Sequence, residues 1–204
     1  HKVVMHHAIK EDKKTTVMTT DSAAIAKMAA DYLKNLGYKR FGYCSCVDLN
    51  WSQTRKEVFE KEIKRFGGNF FDYHFHLSIK DDINQVRADL ANWISSLPKP
   101  IALFICNDDI AVFVLEACKL RAVKVPDDVA ILGVDNDELI CRLSSPPLSS
   151  IQLDFRLYGS RAAVYLNDQI DAKGPGQELK IPPLGVVSRE STDSLAVEDA
   201  RVRA

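Results

Sequence analysis

The sequence predicts an α/β fold, a doubly wound parallel sheet, on three observations. Four short β-type runs, 41–46, 69–77, 101–106 and 129–134, begin about 30 residues apart, the length of a strand, a helix and a return. Between them the apolar residues recur at helical spacing, over 51–66, 82–97 and 108–120. Strand and helix in regular alternation is the pattern of parallel βαβ units. The composition agrees: 204 residues, 46% hydrophobic and 27% charged, suffice for one large domain or two small lobes, and they exclude disorder or a disulfide-stapled miniature.

Taken in chain order, extended runs at 3–5 and 15–18 precede a helix over 21–36, with Asp21 suited to its N-cap and Gly37 to its C-terminal stop. The four strands and three helices named above follow. Ser144-Ser145-Pro146-Pro147-Leu148 is a turn-rich connection leading to a helix over 155–170. A loop at 172–176 and extended pieces around 179–181 and 184–188 come next, and 193–204 reads as a tail. The outer strands at 3–5, 15–18 and 179–181 are too few to complete a second sheet.

Twenty-seven basic residues against 28 acidic ones give a net charge of −1, without the basic excess that a phosphate backbone requires. DNA binding by these residues is therefore not expected. Five cysteines, with Cys44 and Cys46 pointing to opposite faces of one strand, suggest reduced thiols and a cytoplasmic setting. No apolar run reaches the length of a membrane span, so no membrane partner is expected.

In an open α/β sheet, ligands bind beyond the carboxyl ends of the strands. Those ends are polar here: Asp48, Asn50 and Trp51 with Arg55 one turn on, then Asn107-Asp108-Asp109, then Asp135-Asn136-Asp137. Carboxylates, amides and a planar guanidinium match the hydroxyls of a neutral polyol, and Trp51 suits the apolar face of a sugar ring. The candidate ligand-binding set is Trp51, Arg55, Asn107, Asp135 and Asn136. Two other readings stand beside it. Asn107, Asp108, Asp135 and Asn136 suit helix caps with or without a ligand, and Asp108, Asp109, Asp135 and Asp137 could hold Mg²⁺. No phosphate loop, nucleophile elbow or His-Glu-x-x-His accompanies the carboxylates, so neither an enzyme nor a cofactor is expected. His74 and His76 share a strand face but lack a third ligand in reach, and Trp93 falls on an apolar helical stripe with Val86 and Leu90.

The run from Val125 through Val134-Asp135-Asn136-Asp137, followed by Pro146-Pro147-Leu148-Ser149-Ser150-Ile151, resembles the sugar-sensor domain of LacI/GalR-type repressors. Asn50-Trp51-Ser52 with Arg55 and Phe59, Ile105-Cys106-Asn107-Asp108-Asp109, and Pro182 to Asp193 through Ser188-Arg189-Glu190-Ser191-Thr192 are more similar to xylose operon regulators of the AraC/XylS type. The resemblance implies a periplasmic-binding-protein-like fold of type I, with two doubly wound parallel-sheet lobes, the first incomplete here. It implies a partial first lobe over 1–38, a second lobe over 39–150, returns to the first over 151–181 and to the second over 182–193, and a tail over 194–204. The passages between lobes would fall at 37–40, 152–154 and 181–184. The family's sugar-contacting Arg, Asn and Asp fall on Arg55, Asn107 and Asp135, and Trp51 matches the aromatic of the xylose branch.

The implied ligand is a monosaccharide, D-xylose first, and the implied assembly a homodimer. DNA would be reached only through a helix-turn-helix domain beyond residue 204. Lobe closure on the sugar would carry the signal, as a coupling free energy of about 1–3 kcal/mol. A transport-linked sugar-binding protein shares the fold and is the alternative.

Overall fold

The computed structural model describes residues 3–5, 16–46, 49–76, 82–171 and 178–193. The histidines at 6 and 7, Asp48, the loop at 172–176 and the tail beyond 193 lie outside them. Two sheets form. The smaller contains β1 (Val3–Met5), β2 (Thr16–Thr20) and β8 (Glu178–Ile181), all parallel, in the order β1-β2-β8. The larger has the order β4-β3-β5-β6-β7-β9, from β3 (Arg40–Cys46), β4 (Asn69–Phe75), β5 (Ile101–Ile105), β6 (Val129–Asp135), β7 (Ser149–Leu153) and β9 (Pro183–Val187). Its first five strands are parallel and β9 runs antiparallel to β7.

The larger sheet is doubly wound, as the alternation of strands and helices predicts. All five residues of β5 and six of seven in β6 are buried, the continuous apolar run of a strand covered on both faces. On one face Phe41, Tyr43 and Phe104 meet Phe59 of helix α2 (Asn50–Arg65), with ring centroids 5.0 to 6.4 Å apart. On the other, Gly42 leaves room for Leu103 and for Trp93 of α3 (Ile83–Ser96), whose ring lies 5.0 Å from that of Tyr73. Helix α4 (Asp108–Leu120) packs beside α3, and Ile110, Ala111, Val114 and Leu115 join the same core. Caps follow side-chain chemistry: Asp21, Asp82 and Asn107 accept the backbone N–H groups of Ala24, Asn84 and Ile110.

Three segments differ from the sequence reading. Helix α1 (Ser22–Asn35) buries Ile25, Ala26, Ala29, Ala30 and Leu33 in the core of the larger sheet. The chain therefore leaves the smaller sheet at Asp21, where Asp21 N donates to Ile181 O at 2.8 Å, and not at 37–40; periodicity defines a helix's apolar face but not the sheet that receives it. Residues 138–143 form a short helix, α5 (Glu138–Leu143), capped by Asp137, and 149–153 form β7. The remaining passages run from β7 into α6 (Phe155–Asp171) and from β8 through Pro182 into β9. Helix α6 covers the smaller sheet with Tyr158 and Ala162 against Met18 and Ile181, and Tyr158 Oη donates to Met18 O at 2.7 Å. Among the described residues no helix is long and apolar enough to cross a membrane.

Candidate functional site

β3 and β5 are adjacent, and from this pair the chain winds outward in both directions, through β4 on one side and through β6 and β7 on the other. At such a switch point the loops after the two strands diverge and leave a crevice at their carboxyl ends. Arg55, one turn into α2, spans it. The residue is only 3% exposed, and its Nη1 donates to the carbonyl of Cys106 at the end of β5. Its guanidinium lies 4.5 Å from the ring centroid of Trp51, four residues earlier on the same helix. Arg55 Nε has no hydrogen-bond partner among the described residues. Burial lowers the guanidinium pKa, opposed by the negative potential of Tyr43, Asp135, Cys106 and Asp108.

Asp135 ends β6. Burial pushes its pKa up to about 7, against the pull of Arg55 and with help from the carboxylates of Asp108, Asp109 and Asp137. No hydrogen bond or ion pair reaches this carboxylate from the described residues. Its backbone is left-handed at φ 113°, and Asn136 follows at φ 51°. For non-glycine residues this region costs on the order of 1–3 kcal/mol each and persists only where neighbours impose it.

The neighbours are identifiable. Asp108, 1% exposed, accepts Ser150 Oγ on Oδ1 at 2.7 Å and the Asp137 N–H on Oδ2 at 2.9 Å, with Cys141 Sγ at 3.4 Å. Ser150 Oγ in turn accepts the Asn136 N–H at 3.0 Å. Burial raises the Asp108 carboxyl to about 6, with these donors opposing the shift. Asp108 reaches across only because residue 133 is glycine: a Cβ there would stand 2.2 Å from Asp108 Oδ1.

The five predicted residues therefore gather at the carboxyl ends of β3, β5 and β6, although not all are equally free. Asn107 Oδ1 is occupied by the Ile110 N–H at 3.2 Å, and its Nδ2 lies 3.5 Å from Asp109 Oδ2. Asn136 Oδ1 accepts Arg189 Nη2 at 2.8 Å. Asp137 is a helix cap, accepting the N–H groups of Leu139 and Ile140 at 3.0 Å each. His74 bonds to Ser45 Oγ at 2.8 Å through Nδ1 and lies 3.2 Å from Asp72 through Nε2. A separate groove of about 410 Å³ runs along α6 and β8, lined by Leu157, Arg161, Val164, Tyr165, Leu179 and Lys180 among others, and among the described residues it offers no carboxylate or amide side chain.

Residues 30–192 match the periplasmic binding protein-like domain. The chain belongs to that family. This periplasmic binding protein-like domain is 28% identical to the xylose operon regulatory protein of Haemophilus influenzae over 192 residues, covering 91% of this chain and 49% of that protein. The Escherichia coli K12 protein of the same name is 27% identical over 189 residues, covering 91% of this chain and 48% of that one. The chain thus spans about half the length of the curated relatives it matches. Among solved structures, a xylose-binding transcription activator, xylR, superposes with a TM-score of 0.87 at 26% identity, covering 98% of this chain and 55% of that one.

Within the domain, Gly133, Ser150 and Arg189 shape the site but carry no signal at the strand ends, and Asp108, which the strand end offers as a cap or a Mg²⁺ ligand, instead braces the turn. Arg189 lies inside the Ser188–Thr192 stretch that carries part of the family resemblance, so a signal was present, without a role attached to it.

Proposed function

We propose that this chain is the sugar-sensing domain of a transcription regulator and that it binds a monosaccharide, D-xylose first, at the carboxyl ends of β3, β5 and β6. One observation carries the reading: among the described residues Asp135 is a largely desolvated carboxylate with no donor, and it shares the rim with the buried guanidinium of Arg55, whose Nε has no partner among them either. Such groups cost free energy in an empty site and lose that cost when hydroxyls arrive. The likeness to xylose operon regulators favours a pentose, and the names of those relatives favour a regulator over a transport protein. The sugar's hydroxyls donate to Asp135 and accept from Arg55, with Asn107, Asn136 and Trp51 completing the surround.

In the whole regulator, a homodimer in the cytoplasm, closure of the two lobes on the sugar is relayed to a helix-turn-helix domain of the AraC/XylS type. Calorimetric titration with D-xylose, L-arabinose, D-ribose and D-glucose, repeated with chelator, tests the reading. Saturable binding of a pentose, unchanged by chelator, is expected; absence of binding to all four sugars overturns it.

A further inference from the structure

Ser188–Thr192 supplies no member of the proposed sugar set, yet Arg189 is fastened at five points. Its side chain is 13% exposed, with Nη1 donating to Leu148 O at 2.8 Å and Nη2 to Asn136 Oδ1 at 2.8 Å and Glu138 Oε2 at 3.1 Å. Its backbone N–H donates to Ser149 Oγ at 2.7 Å, and its carbonyl accepts from Ser149 Oγ at 2.9 Å. The Glu138 pair is half exposed and contributes little by itself. The bonds to Leu148 O and Asn136 Oδ1 use the two arms of one planar fork, a geometry that lysine cannot reproduce.

The turn that Arg189 grips has left-handed backbone at both Asp135 and Asn136. Asp108 braces it from the α4 side through the Asp137 N–H and Ser150, and Arg189 braces it from the β9 side. Arg189 also follows β9, which is joined to β8 of the smaller sheet through Pro182 alone. Movement of that connection bears on the residue that holds Asn136.

We propose that Arg189 is a positioning residue for the sugar site: by gripping Asn136 Oδ1 and Leu148 O it keeps the Asp135–Asn136 turn in the shape that presents the Asp135 carboxylate, and it ties that turn to the strand crossing between the two sheets. The proposal rests on the reading of Asp135 as the sugar acceptor.

Arg189→Met keeps the stem and the backbone bonds to Ser149 while removing every side-chain donor. Calorimetry of the full chain with D-xylose should show at least a tenfold loss of affinity. Without sugar, hydrogen exchange at the Asn136 and Asp137 amides should quicken at least tenfold in Arg189→Met, while the Ser149 amide, held by Ser191 Oγ, should not change. Unchanged affinity, or unchanged exchange at Asn136 and Asp137, overturns the proposal. If Arg189→Met does not fold, Arg189→Lys decides it: at least a threefold loss of affinity with quickened exchange at the same two amides supports the fork, and wild-type behaviour overturns it. If the wild-type chain fails to bind D-xylose, the sugar reading falls, and the exchange measurement still decides whether Arg189 holds the turn.

Discussion

Arg55 lowers the pKa of Asp135 although no hydrogen bond or ion pair joins the two side chains. Arg55 instead spends Nη1 on the Cys106 carbonyl and lies against Trp51, leaving Asp135 as an acceptor without a donor among the described residues. Opposite charges held close but apart at a switch point leave room for a ligand that bonds to both.

Replacing Asp135 by Ala should therefore weaken sugar binding by roughly 2–4 kcal/mol, since buried hydroxyls lose a charged acceptor. Calorimetry on the variant checks this, and an affinity equal to wild type would remove Asp135 from the site.

The pH dependence of binding follows from the empty-site pKa of about 7. Hydroxyl donors favour the carboxylate, so the sugar binds the ionised form and releases a proton where Asp135 is otherwise protonated. Affinity should be roughly tenfold weaker at pH 6 than at pH 8, one pKa unit corresponding to a factor of ten. Titration at pH 7 in buffers of different ionisation enthalpy should show net proton release.

Stability should run the opposite way. A carboxyl whose folded pKa is raised binds its proton more tightly folded than unfolded, so the folded chain loses stability as pH rises from about 4 to about 7 through Asp135. Asp135→Asn removes that loss. It should stabilise the sugar-free chain at pH 8 by on the order of 2 kcal/mol, and much less at pH 4. Urea unfolding at the two pH values measures the difference.

Gly133→Ala should undo the brace behind the turn. The added Cβ would stand 2.2 Å from Asp108 Oδ1, forcing Asp108 away from Ser150. Overpacking and a lost buried bond together should cost about 2–4 kcal/mol of unfolding free energy. Sugar affinity should fall as well, because the Asp137 N–H loses its acceptor.

Trp51 and Trp93 are the two tryptophans of the chain, and they sit in different surroundings. Trp51 lies against Arg55 at the rim, whereas Trp93 stacks at 5.0 Å on Tyr73. Sugar binding should change the emission of Trp51 alone, so Trp51→Phe should abolish the fluorescence response.

Much of the architecture is legible in the sequence because strands covered on both faces, such as Ile101–Ile105, must be apolar throughout, and because Asp21, Asp82 and Asn107 have the side chains that cap helices. Strand β7 escaped because Ser149 and Ser150 interrupt its apolar pattern; their hydroxyls are spent on Arg189, Thr192 and Asp108, bonds that span 40 to 43 residues. Helix α5, six residues long, is too short to show a period. At the site, Arg55, Asn107 and Asp135 stood out because strand ends are where ligands bind. Arg189 did not, and Asp108 was legible there only as a cap or a metal ligand, since what the two do is defined by partners 53 and 29 residues away and by a left-handed turn that local sequence does not announce.

The most direct measurement is a crystal structure of the full-length protein with D-xylose bound. Sugar hydroxyls should lie at roughly 2.5–3.0 Å from the Asp135 carboxylate, with the Arg55 guanidinium donating to the same molecule. A sugar seated elsewhere, with Asp135 and Arg55 untouched, would contradict it.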